Sequence, residues 1–339
     1  MKKSLTVTIL TFGLIASSCS SESGKVEFVN KEQDKRVEVL IDGKLFTAFI
    51  YPENMEKQVL YPINTASGKP VTRGYPLEPR AFERTDHPHH VGLWLNFGDV
   101  NGLDFWNNSF AIADSVKHRY GSVKFNKIVS MDPSKGNLIT SSRWEDINSG
   151  LLLDEETSFN FSGDENSRII ERSTTLTARE QVTFTENKEG LLGLRVDRAF
   201  EEPSTQPEKF LDANGIETEV PVLNNEGVNG IYRNEEGKTG GDVWGKRSRW
   251  VALRAEKEGE IITIVIFDNP ENPSFPAWSH ARGYGLFACN NLGGRAIDKT
   301  AGEVKIILQP GEKIVFKHKI LITGDIKDEQ INRMAAEFK

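Results

Sequence analysis

The chain has 339 residues, 37% of them hydrophobic and 27% charged, with a formal net charge of −7. That length holds one large domain or two ordinary ones with an ample core, and the composition is that of a globular chain rather than a disordered one. The acidic balance, with no concentrated Lys/Arg stripe, argues against a nucleic-acid partner, and no phosphate-cradling Gly-rich loop or dinucleotide fingerprint is present.

The first residues, MKKSLTVTILTFGLIASSCSSES, carry Lys2 and Lys3, an apolar run from Leu5 to Ile15, and small residues Ala16-Ser17-Ser18 directly before Cys19. This suits a secretory signal, too short to span a bilayer comfortably, ending in a bacterial lipobox. The expectation is a signal peptide over 1–18, lipidation at Cys19, a tether over 19–34 and a single domain over 35–339. The protein would be exported to the periplasm, outer membrane or cell surface of a bacterium, touching membrane only through acyl chains. A plain signal with an incidental cysteine is the alternative. The one other cysteine, Cys289, lies in the apolar string YGLFACNN and reads as a small buried residue. With Cys19 acylated, an internal disulfide and a Cys-based zinc site are both excluded.

Alternation and β-branched runs dominate the rest. KRVEVLIDGKLFTAFIY (35–51) reads as two strands around an Asp42-Gly43 turn. Strand character recurs over 58–63, 90–97, 122–131, 138–147, 151–161, 168–178, 181–186 and 191–200, then over 249–256, 261–268, 283–289, 303–309 and 313–323. The convincing helical pattern is the tail DEQINRMAAEF (328–338), apolar at Ile331, Met334, Ala335 and Phe338. About fifteen strands without crossover helices predict an all-β fold, a large antiparallel β-sandwich with a short C-terminal helix. Residues 65–89 and 201–248 break the strand rhythm and are expected to wall a site.

Four segments carry candidate chemistry. In TDHPHHVGLW (85–94), three of the six histidines fall within four positions beside Asp86. If this stretch is extended after Pro88, His87 and His89 share one face and His90 braces the other. Two such imidazoles reach a common substrate or metal, and Asp86 can orient one ring. VNGLDFWNNS gathers Trp106 and Asn107, a stacking ring beside an amide, as sugar sites do; a buried Trp with an Asn-rich turn explains it equally. GKRSRW sets Lys246, Arg249 and Trp250 at a strand entry, where a solvated basic edge is the alternative. FPAWSHARGYGLFACNN offers Trp278, His280, Arg282, Tyr284 and Asn290, with His280, Arg282 and Tyr284 at spacing two.

DHPHHVGLW, VNGLDFWNNS, EGLLGLRV, GKRSRW and HARGYGLFACNNLG together resemble the uncharacterised bacterial "PmoA family", over roughly residues 35–323. The methane-oxygenase sense of that name is set aside, because a membrane subunit of that kind needs several apolar spans of about 20 residues. In its all-β pattern the family resembles sugar-active sandwiches of the galactose-mutarotase type. No mechanism comes with the resemblance.

The leading expectation is a carbohydrate-processing enzyme, an epimerase, mutarotase or lyase, moving a proton at an anomeric or keto-sugar carbon. His87 or His89 and His280 would be acid and base with pKa values near the working pH. Asp86, Trp106, Asn107, Arg195, Lys246, Arg249, Trp278, Arg282, Tyr284 and Asn290 would hold a small saccharide or glycan. No cofactor is assigned, and a divalent metal stays open. Two alternatives stay open: a metal-dependent sugar hydrolase or lyase with His87, His89 and His280 as ligands of a divalent ion, and a non-catalytic glycan-binding surface lipoprotein.

Overall fold

The computed structural model describes residues 23–222 and 224–339; the expected signal peptide and lipidation site, Cys19, lie outside the described residues. Twenty strands follow one another there: β1 (Val26–Lys31), β2 (Arg36–Ile41), β3 (Lys44–Ile50), β4 (Val59–Ile63), β5 (Leu93–Phe97), β6 (Ser122–Asp132), β7 (Asn137–Glu145), β8 (Leu151–Gly163), β9 (Arg168–Ala178), β10 (Val182–Thr185), β11 (Gly190–Arg195), β12 (Glu208–Leu211), β13 (Glu217–Val220), β14 (Ile231–Asn234), β15 (Trp250–Lys257), β16 (Glu260–Asp268), β17 (Trp278–Arg282), β18 (Leu286–Asn290), β19 (Lys305–Leu308) and β20 (Lys313–Thr323). Two α-helices, α1 (Gly294–Ile297) and α2 (Asp328–Glu337), and five short 3-10 helices complete the set.

Two eight-stranded sheets account for sixteen of these strands. The first runs β1-β2-β3-β4-β5-β11-β18-β17 and the second β14-β15-β16-β20-β9-β8-β7-β6. Neighbours pair antiparallel throughout, as tight turns in place of crossovers require. The Asp42-Gly43 turn joins β2 to β3 with φ of 51° and 73°, the left-handed pair that matches strand twist. Facing residues such as Val39, Leu95 and Leu192 from the first sheet and Phe159, Phe161 and Ile170 from the second form one continuous core. The fold is therefore the all-β antiparallel sandwich expected, with its short C-terminal helix.

Burial patterns tell which sheet faces are covered. In β9 every second residue is buried and the rest are half-exposed, so its outer face meets water. By contrast, β5, β11 and β18 are buried at every position, so both of their faces are covered. Over β15 and β16 the outer face of the second sheet is covered by α2 and the residue after it, with Ile331, Ala335 and Phe338 packing on Trp250, Val265 and Phe267. On the first sheet, loops close the outer face over Trp94, Trp106, Tyr61 and Ala288.

Three differences from the sequence reading matter. The sheet begins earlier than expected: β1, placed in the tether, pairs with β2 over its whole length. An unforeseen strand, β17, runs through WSHAR, and the strand expected over 283–289 begins only at Leu286 because Gly283, Tyr284 and Gly285 form a turn. Strand β5 starts at Leu93, so the histidines precede it and are not on a strand.

Candidate functional site on the outer face of the first sheet

The floor is set by register. Trp94 on β5 stands opposite Gly193 on β11, which stands opposite Ala288 on β18, which faces His280 on β17. Four strands thus present a row of Trp, Gly, Ala and His on one face. The two small members leave room for rings to lie on the sheet. A Cβ at Gly193 would come 2.6 Å from Trp94 Cζ2 and 2.8 Å from Trp106 Cη2, so only glycine fits beneath this indole pair. The two indoles meet at 5.0 Å between centroids.

Over this floor sits the histidine turn. Pro88 does not extend the chain; it occupies the second position of a turn closed by the His90 N–H donating to the His87 carbonyl at 2.9 Å. The expectation that His90 lies behind a strand is therefore corrected. All three rings come together: His87 and His90 are parallel at 4.8 Å, and His89 meets His90 edge-on at 4.3 Å. His90 is buried deepest, 5.4 Å from Trp94 and 5.9 Å from Trp106.

Two buried arginines fix the turn. Arg73 donates to the carbonyls of Arg84, Asp86, His87 and His90 and to Asp86 Oδ1, all within 2.8–3.3 Å. Arg195 reaches Asp86 Oδ1 at 2.6 Å and His90 Nδ1 at 3.3 Å. Asp86 Oδ2 takes His87 Nδ1 at 2.5 Å. Burial alone would raise the Asp86 carboxyl, but Arg195, the His87 hydrogen bond and Arg73 together hold it well below the usual carboxylate range. Tyr284, in the turn between β17 and β18, stacks on His87 at 5.0 Å and lies under Arg195. Asp86, Arg195 and Tyr284 thus brace the turn.

Behind the turn stands Lys57, buried and unmarked in the sequence. Its ammonium donates to the Trp106 carbonyl at 3.1 Å and lies 5.0 Å from the Trp94 ring centre. Burial lowers its pKa to about 7, against opposing pulls from Asp104 and Glu56. Lys57 and His89 line one hollow of about 220 Å³, with Met55, Leu77, Val91 and Phe110 among its walls. Burial, followed by the positive charge of Lys57, lowers His89 to about 2. His90 is likewise pushed far down by burial, and His280 falls to about 4 for the same reason. These three rings are neutral at pH 7, so His89 and His280 do not titrate near the working pH as expected of them.

Several expected site residues are engaged elsewhere. His280 lies on the same face, but the Trp106 indole separates it from the histidine turn, at 6.2 Å on one side and 5.9 Å on the other. The Asn107 amide is tied into a local turn by the Asp104 carboxylate. Arg249 is paired with Glu235, and Lys246 is exposed at the strand entry, the solvated-edge arrangement. Asn290 donates to the carbonyls of Asn187 and Lys188 and accepts from Leu292 N–H, pinning a bend. Trp278 is buried under the Arg247 guanidinium, and Arg282 lies over Trp244. Among the described residues no group of three His, Cys, Asp or Glu side chains could hold a metal ion, so His87, His89 and His280 form no ligand set.

Of the two irregular segments, 65–89 supplies Arg73 and the turn. The other supplies a support: β12 bonds through Leu211 and Lys209 to Phe82, Glu83 and Thr85, and Arg84 is paired with Glu201 at 2.7 Å. The sequence signal that could have found Arg73 is its place in a polar stretch already marked as a wall. Lys57 carries no such signal.

What marks the face chemically is unpaired nitrogen. His89 Nε2, His90 Nε2, Trp94 Nε1, Trp106 Nε1 and His280 Nδ1 are all buried with no hydrogen-bond partner among the described residues. Native proteins pair most buried polar groups, so these nitrogens are the groups on this face free to meet a ligand or water.

An antiparallel double sheet with an aromatic, histidine-bearing hollow outside one layer is the class of protein that fold and site define. The chain belongs to a family of unknown function (DUF6807), matched over residues 36–336. No curated protein matches it. Among solved structures it is similar to a GH36 alpha-galactosidase of Geobacillus stearothermophilus, at 7% identity and a TM-score of 0.42, over 88% of this chain and 41% of that one. A second alpha-galactosidase of that organism, in complex with raffinose, aligns at 10% identity and a TM-score of 0.40, over 89% and 41%. A protein of Escherichia coli K12 provisionally named an aldose 1-epimerase aligns at 9% identity and a TM-score of 0.35, over 88% and 99%. The chain spans about two fifths of the length of those galactosidases.

Proposed function

We propose that this chain is a carbohydrate-processing enzyme that moves a proton at the anomeric or keto carbon of a small saccharide held in the hollow beside His89. The observation that supports it most directly is the pairing, on one hollow, of a buried ammonium brought near neutrality with an imidazole nitrogen that has no partner. Lys57 takes the acid–base role, since a group titrating near pH 7 best balances proton uptake and release. His89, neutral at that pH, polarises a sugar oxygen as a hydrogen-bonding partner. Apolar walls from Met55, Leu77 and Phe110 meet the C–H face of a ring, while Asn108 and Ser109 stand at its polar edge. His280, beyond Trp106, has no part in this step. The chain is further proposed to be exported and lipid-anchored through Cys19; palmitate labelling of the wild type but not of Cys19→Ala is the expected outcome.

The test is proton NMR in D2O with a panel of aldoses and ketoses, following anomer interconversion and loss of the C2 proton. Wild type should accelerate one of these, and Lys57→Met should lose turnover while still quenching tryptophan fluorescence on ligand addition. Saccharide binding without turnover in the wild type would replace the enzyme by a glycan-binding lipoprotein.

A further inference from the structure

Lys57 differs from the other lysines in what surrounds its nitrogen. Its hydrogen-bond acceptor is a main-chain carbonyl, that of Trp106, and it pairs with no carboxylate among the described residues. Most lysines that reach a partner here do so at an acid, as Lys31, Lys124 and Lys319 do with Glu38, Glu56 and Glu171. Lys57 is 4% exposed, yet it borders the hollow that His89 also lines, with its ammonium over the Trp94 face. A buried amine in no salt bridge, bordering a cavity of small-molecule size, has the surroundings of a nucleophile rather than of a surface cation.

We infer that Lys57 captures the open-chain carbonyl of an aldose or ketose as a Schiff base. In that step the neutral Nζ adds to the carbonyl carbon, forming a C–N bond as the carbonyl π pair moves to oxygen. Nitrogen gives up its two protons, the oxygen leaves as water, and an imine C=N remains. No oxidant or reductant enters; amine plus carbonyl gives imine plus water. His89, whose Nε2 has no partner among the described residues, lines the same hollow and would offer the departing oxygen a hydrogen-bonding group. The inference rests on the saccharide reading above for the identity of the carbonyl compound, and on an open-chain sugar it gives Lys57 the nucleophile's part in place of the acid–base one.

Reductive trapping tests it. The full chain is incubated at pH 7 with glyceraldehyde and cyanoborohydride, and adducts are mapped by peptide mass spectrometry. Lys57 should be modified at least about tenfold faster than exposed lysines such as Lys25 and Lys135, because more of it is unprotonated at that pH. Modification of Lys57 no faster than those residues would overturn the inference. Lys57→Arg, which keeps the stem and the positive charge, should fold and lose the fast adduct; a fast adduct that survives in it would also overturn the inference. Methyl glycosides, which cannot open, separate the two readings. If they quench the tryptophans while glyceraldehyde leaves Lys57 untouched, the saccharide site stands and the imine falls. If glyceraldehyde is trapped at Lys57 but no glycoside or free sugar binds, the amine is reactive and the saccharide reading falls.

Discussion

Both sheets of this sandwich cover tryptophan on their outer faces, and they do it differently. On the second sheet, α2 lies over Trp250, and the indole N–H donates to Asn332 Oδ1 at 2.8 Å. On the first sheet, loops lie over Trp94 and Trp106, and neither indole N–H finds an acceptor among the described residues. One cover matches the N–H of the indole beneath it. The other gathers imidazole and indole nitrogens and leaves them unmatched, which folding alone gives no reason to do. Burial by itself does not separate the two indole sites; the hydrogen bonding of their N–H groups does.

The strongest way to break that contrast is Asp86→Asn. It removes the counter-charge from Arg73 and Arg195, which are 1% and 0% exposed, and leaves two buried guanidinium groups facing an amide. Removing one partner of a buried ion pair costs about 3–5 kcal/mol, so urea unfolding should show a loss of that order together with loss of ligand binding. The wild type carries the same interaction in its pH dependence. Because the folded Asp86 pKa lies below the unfolded value near 3.9, its contribution is complete above that value and is lost as pH falls toward the folded one.

Next is Lys57→Met. Folding lowers this amine from 10.5 to about 7, so between those values the unfolded chain holds a proton that the folded chain has released. Wild-type stability should therefore climb with pH across that window, by on the order of a few kcal/mol, and the climb should be absent from the Met variant. Parallel pH–stability curves for the two proteins would remove the basis for a perturbed amine.

A smaller effect is expected of Gly193→Ala, which drives a methyl group into both indoles. Overpacking of this kind costs about 1–3 kcal/mol, and ligand quenching should vanish with it. Last comes the control on the other face: Asn332→Ala orphans the Trp250 N–H, costs about 1–2 kcal/mol, and leaves ligand binding unchanged. If the two substitutions affected binding alike, the contrast between the faces would have no functional meaning.

Much of the sandwich was legible because its strands state their period. RIIERSTTLTA and KIVFKHKILIT lie at the same bounds in sequence and structure, since alternation with β-branched residues is a local signal. β17 was hidden by its composition, as His280 and Arg282 in a five-residue strand look like loop chemistry until their register with β18 is known. The histidine turn was misread at Pro88, which fits a tight turn as readily as an extended approach. Arg73 and Lys57 were invisible for a deeper reason. A buried cation and a surface cation are the same letter, and what distinguishes them is the distant chain folded over them.

The five acceptors gathered by Arg73 have one further consequence. They hold the backbone of the Asp86–His90 loop in place before any ligand arrives, so its conformational freedom is given up during folding and not at encounter. A recognition loop clamped in this way behaves as a template, with an approaching molecule meeting a shape already cast. Loosening the clamp should therefore register first as an entropic burden on association, while the contacts made in the complex stay the same.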